Sequence, residues 1–202
     1  MEVNQAIARR RSVRAFSQEP VSEALLASLV EAARLAPSAA NLQPLEYVAV
    51  SQPALCEQVF DCLKWAAYTH PVGTPGPGQR PMAYLVACVR TEYKAAVGSA
   101  YDLGASLMSA MLLAVDNGLG SCWIKSINAP RLAEILGVPA GLEVDSVLAL
   151  GQPAEEPGTV DLAPEQSGRE VIRYWRDDKG RQVVPKRPLA NILHRQRYGG
   201  AR

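Results

Sequence analysis

The stretch from Tyr101 to Asn117 limits the possible folds more than any other part of this chain. Read as a helix it is the longest in the sequence, and it is apolar nearly all round. A helix without a polar face has to lie in a core or at a subunit interface. Gly118 and Gly120 end it and lead into Ser121-Cys122-Trp123-Ile124, a short strand.

Around this helix the 202 residues suit one domain, 1–202, without repeats or a visible boundary. Helical spacing marks Glu2 to Arg10 and a second helix from Ser22-Glu23, where Ser22 caps and Glu23 suits the dipole. Pro37 stops that helix, because the residue before a proline disfavours helical backbone. Leu45 to Val50 reads as a strand. Pro53 opens a helix with Leu55, Val59, Cys62 and Leu63 as its buried stripe. Residues 69–81 are rich in Pro and Gly and read as a mobile loop, and Met82 to Val89 is a central strand. Asn128 caps a helix over Ala129–Leu136, closed by Gly137, and Val144 to Leu150 is another strand. Residues 154–168 read as a surface excursion, Val171 to Val184 as a hairpin turning at Asp177–Gly180, and Leu189 to Arg195 as a final short helix. Strands spread irregularly between helices indicate an α+β class.

A formal net charge of +1 argues against a general nucleic-acid or membrane-surface binder. No run reaches the roughly 18 apolar residues of a membrane span. Met1–Gln5 lacks the regions of a signal peptide, and the four scattered cysteines read as reduced, buried thiols. The expectation is a cytoplasmic protein. With His70 and His194 the only histidines, no histidine metal site is expected.

Against this balance stands Arg9-Arg10-Arg11-Ser12-Val13-Arg14. Such a cluster is either a solvated basic face at a helix end or a holder for a dianion. The usual catalytic signatures are absent: no G-x-S-x-G, no phosphate-binding loop of the Walker type, no dinucleotide fingerprint after a strand and no paired carboxylates. A protein without its own acid/base set can still catalyse when a bound cofactor carries the reaction.

Five segments in order resemble the nitroreductase family of FMN-dependent oxidoreductases. They are Arg10-Arg11-Ser12-Val13-Arg14-Ala15-Phe16, Ala36–Pro44, Gly118–Ile124, Val147–Pro153 and Pro185-Lys186-Arg187-Pro188. Leu45 stands where the family commonly has tryptophan, and Lys125-Ser126 where many relatives have an acidic residue and a glycine.

The resemblance implies a nitroreductase-like α+β fold, a mostly antiparallel central sheet flanked by helices, in an intertwined homodimer with flavin sites at its interface. It implies that FMN carries the chemistry, with no catalytic side chain. Arg10, Arg11 and Ser12 would meet its phosphate and ribityl chain, joined by Lys186 and Arg187. Arg14 would lie at the pyrimidine edge of the ring, where a cation favours negative charge. Pro37, Ser38, Ala39 and Asn41 would come from the other subunit, and backbone at Trp123, Ile124 and Lys125 would run beside the ring. The implied activity is a ping-pong transfer of hydride from NADH or NADPH through FMN to a small electron-poor acceptor, a nitroaromatic or quinone. By its own composition, loop 69–81, with Trp65 and Tyr68 before it, reads either as a substrate lid or as an ordered linker. Flavin storage or sensing without turnover, or a specialised family activity (dehalogenation, flavin destruction, heterocycle oxidation), are the alternatives.

Overall fold

The computed structural model describes residues 1–94 and 99–199. In chain order its elements are α1 (Val3–Arg9), α2 (Glu23–Arg34), β1 (Leu45–Val50), α3 (Pro53–Asp61), β2 (Ala83–Arg90), α4 (Thr91–Lys94), α5 (Ser99–Asp116), β3 (Gly120–Ile124), α6 (Ala129–Leu136), β4 (Leu142–Gly151), β5 (Gly158–Asp161), β6 (Trp175–Arg176) and β7 (Gln182–Lys186). The main sheet is antiparallel throughout, in the order β1-β2-β4-β3, and a smaller sheet has the order β5-β7-β6.

Strand β2 is buried along Ala83–Val89, and this explains its unbroken apolar sequence. Successive side chains point to opposite faces. Ala83, Leu85 and Ala87 join Leu26 and Leu29 of α2 and Leu107 and Met111 of α5 in one core. Tyr84, Val86 and Cys88 join Val59 and Phe60 of α3 and Leu132 of α6 in the other. The sheet is therefore sandwiched between two helical layers, as the α+β expectation requires. Helix α5 turns Leu103, Leu107, Ala110 and Ala114 inward and leaves Tyr101 and Met108 exposed.

The helix signals act as read. Ser22 Oγ accepts the Leu25 N–H at 3.2 Å, Asn128 Oδ1 accepts the Arg131 N–H at 3.2 Å, and Gly137 closes α6 at φ 63°. Elsewhere the structure corrects the sequence. The expected helix from Leu189 to Arg195 is a single 3₁₀ turn, Leu189–Asn191. Arg187 takes the Asn191 carbonyl at 3.0 Å, a group that a continuing helix would use itself. The excursion after Ala154 contains β5, which pairs in parallel with β7 and carries no alternating pattern of its own. In the hairpin, β6 is only two residues long because residues 171–172 are turn. Cys62 and Leu63 are buried but lie beyond the end of α3. Residues 69–81 are hydrogen-bonded turns rather than an open loop, with Gly73 N–H on Thr69 O at 2.8 Å and Gln79 N–H on Gly76 O at 3.0 Å.

The four cysteines are free and buried. Burial, aided by Glu57 and Glu46, pushes the thiols of Cys56 and Cys88 each up to about 11. Among the described residues no helix is long and apolar enough to cross a membrane.

After α1 the backbone runs along the open edge of the main sheet. Ser12 bridges Ser121 in parallel, and the Val13 N–H donates to the Ser121 carbonyl at 2.9 Å. Further on, the Ser17 N–H reaches Gln152 O at 2.9 Å and the Ala154 N–H reaches Ala15 O at 2.8 Å. Two glycines permit this approach. A Cβ at Gly120 would sit 2.9 Å from Val13 Cβ, and one at Gly151 would sit 3.0 Å from Phe16 Cδ1. Gly120→Ala should therefore destabilise the protein by about 1–3 kcal/mol, as overpacking does. The reading is a lowered urea midpoint at unchanged slope; an unchanged midpoint would show that the segment is not held this closely.

Candidate functional site

The docked segment carries the basic cluster. Arg11 and Val13 line one cavity of about 580 Å³ with Arg9 and Gly120, Arg14 lines another of about 540 Å³, and Glu155 and Glu156 line both. The cluster thus serves two adjoining cavities, which its sequence spacing did not show. Arg11 Nη1 donates to the Arg10 carbonyl at 2.6 Å, so its guanidinium fixes the turn out of α1. Burial, with the Arg10 charge beside it, lowers the Arg11 pKa.

Arg34, Arg80, Arg90, Arg131, Arg173, Arg176 and Arg181 each pair with a carboxylate. Half-buried Arg10, Arg11 and Arg14 have no such pairing among the described residues. Ser121 Oγ, at the residue bridged to Ser12, is buried and without a hydrogen-bond partner. Guanidiniums outside any ion pair suit an anion with several acceptor oxygens.

Arg14 is held from two directions. Its N–H donates to Glu155 Oε1 at 2.5 Å, and Glu155 Oε2 accepts from Arg176 Nη1 at 3.1 Å. Arg176 also donates to the Gly180 carbonyl at 2.6 Å, which ties the β6–β7 hairpin to the Arg14 backbone. The Arg14 guanidinium lies 5.1 Å from the centre of the Tyr174 ring, within cation–π range, and Tyr174 meets Tyr68 at 5.0 Å. The cavity at Arg14 is walled by Val72, Thr74, Pro75 and Gln79 from the turns after Tyr68, and by Lys179 and Arg181 from the hairpin. Trp65, expected to flank that segment as part of a lid, is instead core: it is 5 % exposed and stacks on Phe60 at 5.7 Å. Glu155, Tyr174 and Arg176 were not singled out from sequence, because their role comes from contacts across more than 100 residues to Arg14 or through a two-residue strand.

The second group of candidates is elsewhere. Pro37 and Ser38 line a cavity of about 370 Å³ with Tyr47, Asp102 and Ser106. It shares no lining residue with the two cavities at the arginines. Pro37 and Asn41 are exposed, and Ser38 and Ala39 half-buried. Ala40, Asn41 and Gln43 take positive φ of 50°, 55° and 48°. Such backbone costs non-glycine residues about 1 kcal/mol or more each, so contacts must hold it. Inside the loop, Ser38 Oγ accepts the Gln43 N–H at 3.1 Å, and the Asn41 N–H donates to Ser38 O at 3.0 Å.

Trp123 is 38 % exposed and donates from Nε1 to Ser146 Oγ at 2.8 Å. The Ile124 side chain is buried, which leaves only its backbone for a ligand. Lys125 pairs with Asp145 and lines a fourth cavity with Ser99 and Glu143. Lys186 lies in β7 opposite Asp161, and both Lys186 and Arg187 are exposed. No hydrogen bond or ion pair joins either to Arg10–Arg14 among the described residues.

Known proteins match this arrangement. The sequence profile of the Nitroreductase family covers residues 7–152, and the chain belongs to that family. A curated relative, NADH dehydrogenase of Thermus thermophilus, is 34% identical over 184 residues, covering 77% of this chain and 89% of its own. A nitroreductase family protein of Clostridium novyi NT superposes with a TM-score of 0.65 at 25% identity, covering 76% of this chain and 86% of that one. A variant of an FMN and NADPH-dependent nitroreductase from Sphigopyxis sp. strain HMH gives 0.61 at 25% identity, with 76% and 89% covered.

The Glu155 carboxylate has 9% of its side-chain surface exposed and Arg176 20%, so cutting their pair strands a largely buried guanidinium. Glu155→Ala should cost about 3 kcal/mol, as the loss of one partner of a buried pair does. Chemical denaturation measures this, and a loss under about 1 kcal/mol would place the pair with weak surface bridges.

Proposed function

We propose that the chain is an FMN-dependent oxidoreductase that takes hydride from NADH or NADPH and passes it to an electron-poor acceptor, such as a nitroaromatic or quinone, and that it works as a homodimer. One observation carries this reading: Arg10, Arg11 and Arg14 are half-buried, yet among the described residues none of their guanidiniums is in an ion pair, whereas seven other arginines are. The donors named for the relatives, NADH in one and NADPH in another, support it.

FMN, when bound, supplies a ring that accepts and returns two electrons with a proton. The residues of the chain bind and tune it. Arg10 and Ser12 take the phosphate. Arg11 supports them by fixing the Arg10 carbonyl. Lys186 and Arg187, both exposed, add positive charge at the same end. Arg14 serves the pyrimidine edge, where a cation at ~4 Å stabilises negative charge by about 1–4 kcal/mol. The buried Ile124 side chain leaves its backbone, with that of Trp123 and Lys125, to line the ring.

Pro37 and Ser38 line a different cavity of the same chain, and Ala39 and Asn41 lie in the same loop, so a second copy brings them to the flavin. Exposed Val3, Ile7, Tyr101 and Met108 on α1 and α5 supply apolar surface for that copy. The cavity at Arg14, with Val72, Thr74, Pro75 and Gln79 on one wall, admits the donor and then the acceptor.

Purified protein should show flavin absorbance bands, lose them on anaerobic titration with NADH or NADPH, and regain them when a nitroaromatic is added. A colourless protein that takes up no FMN would overturn the reading; a yellow one that neither donor bleaches would make it a storage or sensing protein. Arg10→Ala should weaken FMN binding by about 1.5–3 kcal/mol, the worth of a hydrogen bond to a charged group. Arg14→Ala should lower the flavin midpoint potential with most FMN still bound, and an unchanged potential would remove Arg14 from the ring.

A further inference from the structure

The loop Pro37–Gln43 holds three non-glycine residues at positive φ, and its own hydrogen bonds link only loop atoms to one another. Among the described residues, a single hydrogen bond reaches its interior from elsewhere in the fold. The Ala39 N–H donates to Asp102 Oδ1 at 2.9 Å. Asp102 lies in the first turn of α5 and is 6% exposed, a rare setting for a carboxylate. Two things make it tenable there: the positive end of the α5 dipole and the charge-assisted bond from Ala39.

One turn further along the same face of α5, Ser106 Oγ donates to the Ala33 carbonyl at 2.8 Å and is joined to the Tyr47 hydroxyl. Asp102 and Ser106 form a polar seam on one wall of the cavity beneath the loop. Ser106 anchors the end of α2 and β1, which frame the loop, and Asp102 anchors the loop itself. A loop with unfavourable backbone angles keeps its shape only while something outside it holds them.

We infer that Asp102 is a positioning residue: through the Ala39 N–H it fixes the Pro37–Asn41 loop in the shape that a flavin bound largely by the other copy requires. This rests on the functional reading above. Asp102 acts through the loop, by way of the Ala39 N–H. Its effect is felt in the site whose arginines belong to the partner copy, more than in the site bearing its own Arg10.

The test measures FMN dissociation constants by fluorescence for wild type, Asp102→Ala and Asp102→Asn. Asparagine keeps an oxygen that can accept the Ala39 N–H; alanine does not. Asp102→Ala is expected to weaken FMN binding at least tenfold, and Asp102→Asn to stay within about threefold of wild type. Equal losses in both variants, or no loss in Asp102→Ala, overturn the inference.

Direction is tested by co-expressing two differently tagged chains, one Arg10→Ala and the other Asp102→Ala, and isolating the mixed dimer. If Asp102 acts on the opposite site, one site collects both defects and the other none, so the mixed dimer binds one FMN per two chains at wild-type affinity. A mixed dimer without a wild-type site, or chains that do not dimerise, overturns the inference. Wild-type protein that takes up no FMN overturns the functional reading and this inference with it, whereas FMN-binding wild type with an unaffected Asp102→Ala overturns the inference alone.

Discussion

Where Val13 meets Gly120 and Phe16 meets Gly151, a Cβ on either glycine would lie within 3.0 Å of the opposing side chain. Backbone pairing at this distance adds the segment after α1 to the edge of the main sheet through Ser12 and Ser121. The rest of the candidate site depends on that docking. The docking buries Val13 and Phe16, and the Arg14 N–H comes within reach of Glu155. Glu155 then recruits Arg176 and the hairpin behind it. Without the close approach the arginines would be a loose basic tail, and their charge would be solvated instead of directed.

The fold was legible where a local signal decides. Ser22, Pro53, Asn128 and Gly137 each act within one helical turn, and β2 announces itself by an apolar run that burial on both faces explains. Legibility failed where partners distant in sequence decide. Strand β5, Gly-Thr-Val-Asp, has no pattern of its own and exists by pairing with β7. The C-terminal helix was lost to Arg187, which takes the carbonyl it needed. Of the candidate site, residue spacing could not reveal that Arg11 and Arg14 line different cavities. Nor could it reveal that Trp65 belongs to the core, or that Glu155 and Tyr174 hold Arg14.

The separation between the arginines and the Pro37–Asn41 loop is the other organising fact. Both lie close to α5: the loop meets its first turn at Asp102, while Val115 near its last turn shares the Arg11 cavity. A rigid helix of 18 residues spans about 27 Å at 1.5 Å per residue, so the two parts are kept apart by its length. In the homodimer proposed above, the apolar residues left outward on α5 are surface that a second copy can cover.

The cysteines carry a consequence of their own. Quinones and partly reduced nitro compounds are electrophiles, and thiolates are among the first groups in a protein that they attack. With Cys56 and Cys88 pushed up to about 11, only on the order of one thiol in ten thousand is ionised at neutral pH, and both are sealed in the core. Cys122, next to the exposed Trp123, is likewise buried and shifted upward. Thiols held this way are poor targets for the electrophilic acceptors proposed above.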